Sequence, residues 1–82
     1  VKKLTRIINN KVEAIEFLVS EDSALAEKEI QHLSLRPNIL LGSITRGKEV
    51  IIPRGSDVLK AGDTVVVVTT TERLARLDDI IE

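Results

Sequence analysis

The residues able to do acid–base, metal or nucleophilic chemistry are few and scattered. His32 is the sole histidine. It sits beside Leu33 near the end of an expected helix, where a surface or capping role is favoured because positive charge suits a helix C-terminus. No second ligand stands at metal-binding spacing on that helix, and with no cysteine a thiolate zinc site is excluded. Asp78 and Asp79 are adjacent, so on a helix they point about 100° apart and form no matched acid/base pair; they read as a solvated face. Asp57 and Asp63 fall in turns, and Asp63 follows Gly62 directly before a strand, which is ordinary turn chemistry. Ser23, Ser43 and Ser56 have no neighbouring base to activate them. The glycines Gly42, Gly47, Gly55 and Gly62 match neither phosphate-cradling fingerprint. These types and spacings specify no catalytic residue, no metal site and no enzyme. A binding module or an assembly module is left.

The elements that would position such a module can be read from periodicity. Val12–Val19 alternates, with Glu13, Ile15, Phe17 and Val19 on one side, and predicts a strand. In Ala24–Leu33, Ala26, Ile30 and Leu33 form one apolar stripe and predict a helix, capped at Asp22 or Ser23. Pro37 stops any continuation. Ile39–Arg46 and Glu49–Ile52 predict a hairpin around Gly47, with Gly42 marking a bulge or close packing inside the first strand. Ser56–Lys60 is short and irregular. Thr64–Thr70 predicts the most apolar strand, and its unbroken Val65–Val68 run suggests burial on both faces. Glu72–Ile81, with Leu74, Leu77, Ile80 and Ile81 on one side and a cap at Thr70 or Thr71, predicts a second helix. Before all of these, Val1–Lys11 is basic and reads as one side of a helix, a short strand or a linker, ending in a turn at Asn9-Asn10. The expected fold class is α+β: a small sheet of about four strands with two helices, in the order strand-helix-strand-strand-strand-helix. Residues 1–11 are a connecting segment and 12–82 the domain.

Composition narrows the classes. The chain has 82 residues, 12 Lys plus Arg, 13 Asp plus Glu and a formal net charge of -1. A nucleic-acid polymer partner would call for a basic excess and stacking aromatics, and Phe17 is the only aromatic. No apolar run nears the ~18 residues of a membrane span, and the N-terminus lacks the apolar stretch of a signal peptide. Absence of cysteine fits a cytosolic setting. Folding at this mass would bury roughly 63% of the unfolded surface, a marginal core that oligomerisation would help. The start at Val1 reads as a piece of a longer protein. A chain that is 43% hydrophobic and has no disulfide has reason to cover one face with a second copy.

One stretch carries a resemblance: Asn38-Ile-Leu-Leu-Gly-Ser-Ile-Thr-Arg-Gly-Lys-Glu-Val-Ile-Ile-Pro-Arg-Gly-Ser-Asp-Val-Leu-Lys-Ala-Gly-Asp63, followed by Thr-Val-Val-Val-Val. It resembles the TrkA C-terminal domain, the C-lobe of the RCK (regulator of potassium conductance) module. Arg46, Gly47, Pro53, Leu59, Gly62 and Asp63 fit the pattern in order, as do the Ile15-Glu16-Phe17 strand and the segment after Ser23. One departure stands out: the family often carries glycine in a Ser-x-x-x-Gly-Lys arrangement, where this chain has Ala26-Glu27-Lys28. The resemblance implies a regulatory, ligand-sensing and dimerising lobe of a soluble subunit controlling potassium transport at the cytosolic face of the membrane. Its implied partners are a second copy, an N-terminal RCK lobe that would bind NAD or ATP, and a potassium channel or transporter subunit. It implies no cofactor in this lobe, but a small effector such as cyclic di-AMP in the dimer cleft. The matching ligand positions are Asn38, Arg46, Ile51, Ile52 and Pro53. Alternatives are a purely structural assembly module and a C-lobe fused to an anion transporter.

Overall fold

The computed structural model describes residues 7–9, 12–70 and 74–82. The basic segment 1–6, the Asn10 half of the expected turn, the Thr71 cap and the first two residues of the expected second helix lie outside them. Five strands form one antiparallel sheet: β1 (Ile7–Asn9), β2 (Val12–Leu18), β3 (Ile39–Arg46), β4 (Glu49–Ile51) and β5 (Thr64–Thr69), in the spatial order β1-β2-β5-β3-β4. Four of them coincide with the predicted strands to within a residue. The fifth, β1, lies in the segment read as a connection and pairs Ile7 with Ala14.

The alternating pattern of β2 works as expected. Ile15 and Phe17 are buried, Val19 follows them, and Ala14, Glu16 and Leu18 point the other way. In β5 the valine run is not buried on both faces. Val65 and Val67 are fully buried, whereas Val66 and Val68 are half-buried. The reason is that the apolar cover is one-sided: Leu25, Leu59, Leu74, Leu77 and Ile80 join Leu41 and Ile44 in a single cluster on the first face. The second face carries Leu40, 64% exposed, in register with Val68 and Ala14. Gly42 is the extra residue of a β-bulge, since the register shifts between Leu41 and Ser43. A methyl group there would meet Val66 O at an ordinary 3.6 Å, so the bulge and not close packing explains it.

Neither predicted α-helix forms among the described residues. Within Ala24–Leu33 the only regular turn is a 3-10 helix at Ile30–His32. The backbone of this segment bonds to segment 54–60 instead: Glu27 N donates to Leu59 O (2.7 Å), Ile30 N to Asp57 O (2.9 Å) and Gln31 N to Gly55 O (2.9 Å). A ten-residue helix is marginal alone, and here tertiary pairing wins because it buries Leu25 fully against Leu59. Leu25 lies off the stripe that suggested the helix. Near the C-terminus, Leu77–Ile80 is again a 3-10 helix, and its flank pairs with residues 34–36 through Arg36 N to Ile80 O and Glu82 N to Ser34 O, both 2.8 Å. The apolar positions are right and the period is wrong. Leu74, Leu77 and Ile80 are all buried, and spacing by threes suits the three-residue turn of a 3-10 helix.

Glu27 adopts φ 66°, in the left-handed region. It stands four residues after Ser23, where the Ser-x-x-x-Gly-Lys pattern has glycine. A side chain there costs about 1–2 kcal/mol, partly offset by the freedom glycine adds to the unfolded chain. Glu27→Gly is therefore expected to stabilise the fold by roughly 0.5–1 kcal/mol and raise Tm by about 3–6 °C. Thermal unfolding monitored by circular dichroism checks it, and a lowered Tm would contradict the left-handed assignment.

Candidate functional site

Arg46 ends β3 and Glu49 starts β4, joined by the two-residue turn Gly47-Lys48. Gly47 has φ 61°, which a two-residue hairpin takes at its first central position. The turn leaves Arg46 on the covered face of the sheet, over the loop before β5. There its guanidinium meets Asp63. Nε donates to Asp63 Oδ1 (3.0 Å) and Nη2 to Oδ2 (2.7 Å), a fork-to-fork pair. Nη2 also donates to Val58 O at 2.9 Å. Lys60 N donates to Asp63 Oδ2 at 2.9 Å, so the carboxylate closes the Lys60–Asp63 turn as well. Asp63 is 2% exposed, while the Arg46 side chain is 33% exposed. Burial by itself would raise the Asp63 carboxyl. The bonds from Arg46 and Lys60 N, with the positive charges of both side chains, together outweigh it and hold the carboxyl below its usual range.

Arg46 is thus anchored on one side and open on the other. Nε and Nη2 are spoken for, and the side chain stays partly open to solvent. Ile51 is half-buried against the core, Ile52 is 71% exposed, and Pro53 is half-buried. Arg46 pairs with Glu49 beside the turn, Ile51 lies two residues along β4 on the same covered face, and Ile52 and Pro53 follow past the far end of β4, with Ile52 on the uncovered face. Asn38 does not join them. It precedes β3 at its far end, eight residues from Arg46 and so roughly 26 Å away along an extended strand. Its φ of 71° gives it a local role, since asparagine tolerates the left-handed turn into the strand.

A second feature lies where β2 ends. A crevice of about 300 Å³ opens between Phe17, Ser20 and Asp22 on one side and Arg76, Leu77 and Asp78 on the other. Asp78 accepts from Ser23 Oγ (2.6 Å) and Ala24 N (3.0 Å). Asp79 accepts from Ala75 N (3.0 Å) and Arg76 N (2.9 Å). Arg76 N first, then Ala75 N and the positive charges of Arg76 and Arg36, draw the Asp79 carboxyl down against a smaller effect of burial. These two carboxylates fasten the C-terminal segment to the loop after β2 and to itself. Sequence reasoning placed them on a solvated face and missed the role. Asp63 was likewise read as plain turn chemistry. The one signal available was an arginine ending a strand and an aspartate opening a later one. Among the described residues no group of three or more His, Asp or Glu is arranged to hold a metal ion, and no helix is long and apolar enough to cross a membrane.

The family model of the TrkA-C domain matches residues 14–82. The chain is 44% identical over 70 residues, 85% of its length, to a Trk system potassium uptake protein TrkA homolog of Archaeoglobus fulgidus, of which it covers 16%. It is 34% identical over 70 residues, again 85% of its length, to Trk system potassium uptake protein TrkA homolog 2 of Methanosarcina mazei, of which it also covers 16%. The chain thus spans about a sixth of the length of the curated relatives it matches.

Proposed function

The chain belongs to the TrkA-C domain family, and from this we propose that it is a regulatory, ligand-sensing and dimerising lobe of a subunit that controls potassium transport. The match over residues 14–82 carries the proposal, together with relatives named for potassium uptake. In this reading the subunit sits at the cytoplasmic face of a potassium channel or transporter and carries an N-terminal RCK lobe that binds NAD or ATP. This lobe takes a small anionic effector such as cyclic di-AMP between two copies. The β3–β4 hairpin supports a binding role: Arg46 is pre-oriented by Asp63 and partly exposed, on the same face of the hairpin as Ile51. A held guanidinium loses less freedom on meeting a phosphate than a mobile one. Asn38 reaches the same ligand only if a second copy brings its strand end close.

Thermal-shift titration of the 82-residue chain with cyclic di-AMP, ATP and NAD tests the sensing half. A ligand at a hundred times its Kd stabilises the fold by about 2.7 kcal/mol, a rise of many degrees in a domain this small. Cyclic di-AMP is expected to give that rise and NAD none. No shift with any of the three would leave a structural assembly lobe.

A further inference from the structure

We propose that the crevice between the end of β2 and the C-terminal segment binds a free α-amino acid with an apolar side chain, held at its carboxylate by Arg76 and at its ammonium group by Asp22. This site is separate from the β3–β4 hairpin, and the proposal does not rest on the effector reading above.

The two walls carry charges of opposite sign. Ser20 and Asp22 stand on the β2 side, Arg76 on the C-terminal side. Asp22 and Arg76 are both exposed. Asp78 ties the walls together, accepting from Ser23 Oγ (2.6 Å) and Ala24 N (3.0 Å). Arg76 is positioned through its backbone: its N–H donates to Asp79 Oδ2 (2.9 Å) and its carbonyl accepts from Asp79 N (3.1 Å). Its guanidinium takes no part in this and has no hydrogen-bond or ion-pair partner among the described residues. Across the crevice, the Ser20 hydroxyl donates to Asp22 Oδ1 (2.6 Å) and leaves lone pairs on the carboxylate for a further donor. That bond first, and the Arg76 charge to a lesser degree, hold the Asp22 carboxyl below its usual range, so it is ionised at neutral pH. The two charges feel each other and do not pair. An arginine and an aspartate held apart in this way complement a zwitterion, whose carboxylate meets the guanidinium as a fork and whose ammonium group meets the aspartate.

The rest of the lining narrows the class. Arg76 stands against two carboxylates, Asp22 and Asp78, so a multiply anionic ligand meets repulsion. A bare amine would leave the guanidinium unanswered. The volume of about 300 Å³ is the low end of small-molecule pockets, which suits one amino acid and not a dinucleotide. The buried Phe17 and Leu77, with Leu18 at 40% exposure, line the same space and favour an apolar side chain. Bound there, the ligand adds a second tie between the two segments that Asp78 already joins.

NMR titration of the isotope-labelled 82-residue chain with L-leucine tests this. Leucine is expected to bind with a Kd of about 1 mM or tighter, with amide shifts centred on residues 20–23 and 75–78. Isocaproate lacks the ammonium group, isoamylamine lacks the carboxylate and glycine lacks the side chain; each is expected to bind about tenfold more weakly. Arg76→Gln is expected to weaken leucine about tenfold and leave isoamylamine unchanged. Asp22→Asn is expected to weaken leucine by a similar factor without weakening isocaproate. Both replacements lie on the surface, and circular dichroism checks that the fold is kept. No shifts up to about 20 mM leucine, or shifts centred elsewhere, overturn the proposal. So does any of the three analogues binding as tightly as leucine, or leucine affinity unmoved in either variant.

Discussion

Asp63→Asn is expected to destabilise the fold by about 3 kcal/mol, the lower end of what breaking a buried ion pair costs. The lower end applies because only one partner is deeply buried: Asp63 is 2% exposed, and the Arg46 side chain is a third exposed. Asparagine keeps the size and loses the charge. Whichever way the amide lies, its NH2 group meets a donor: Arg46 Nε if the oxygen takes the Oδ2 place, or Arg46 Nη2 and Lys60 N if it takes the Oδ1 place. A domain of this length holds roughly 4–12 kcal/mol in total, so the loss is a large share of it. The denaturation midpoint in urea is expected to fall with the slope unchanged. A cost below about 1 kcal/mol would mean that the pair behaves as a surface salt bridge. The double replacement Arg46→Met with Asp63→Leu is expected to recover much of the loss, because two apolar groups of matching size leave no orphaned charge.

The same carboxylate sets an acid limit. Its folded pKa is depressed, so its contribution is fully present above the unfolded value of about 3.9. The contribution shrinks as pH falls beneath that value toward the lower folded one. Asp79 is depressed as well and adds with the same sign. Stability of the wild type is therefore expected to be flat near neutrality and to drop below about pH 4. In Asp63→Asn that drop is expected to be shallower, because one of the linked protons is gone.

The strands were legible because their cause is local. Ile15 and Phe17 alternate with Ala14 and Glu16, and Gly47 marks the turn that closes β3 on β4. The helices were not, because the competing partner is remote in sequence. Residues 27–31 find carbonyls on residues 55–59, and no periodicity within Ala24–Leu33 announces that. Leu25 could have warned of it, as a leucine off the apolar stripe with nowhere to go on a helix. The candidate site was half legible for a similar reason. Arg46 and Pro53 could be picked out by position in a pattern, but the reason Arg46 is rigid lies 17 residues away in Asp63. Asn38 was grouped with them by pattern, and the extended strand between holds the two apart within one copy. Val66 and Val68 carry the remaining lesson. A run of four valines promised cover on two faces, and one copy supplies it on one.

Phe17→Ala is expected to cost about 3–5 kcal/mol, the range for truncating a buried aromatic. Phe17 is the only aromatic residue in the chain and is 1% exposed. The size of the loss depends on whether the surroundings can close on the gap, and here they are pinned. Its strand neighbour Val65 is in register across the central ladder. Just beyond it, Val19 N donates to Asp63 O (2.8 Å) and Gly62 N to Val19 O (2.9 Å), locking the end of β2 to the loop that holds Asp63. The void would also open into the 300 Å³ crevice that Phe17 borders, so water can enter where apolar contact was lost. Phe17→Leu refills most of the space and is expected to cost about 1–2 kcal/mol. Paired urea titrations of the two variants separate cavity from simple loss of the aromatic ring, since alanine and leucine are both aliphatic and differ chiefly in the volume they refill. If alanine proved no worse than leucine, β2 would have to collapse onto β5 freely. The backbone bonds at Val19 would then not be holding the strand in place.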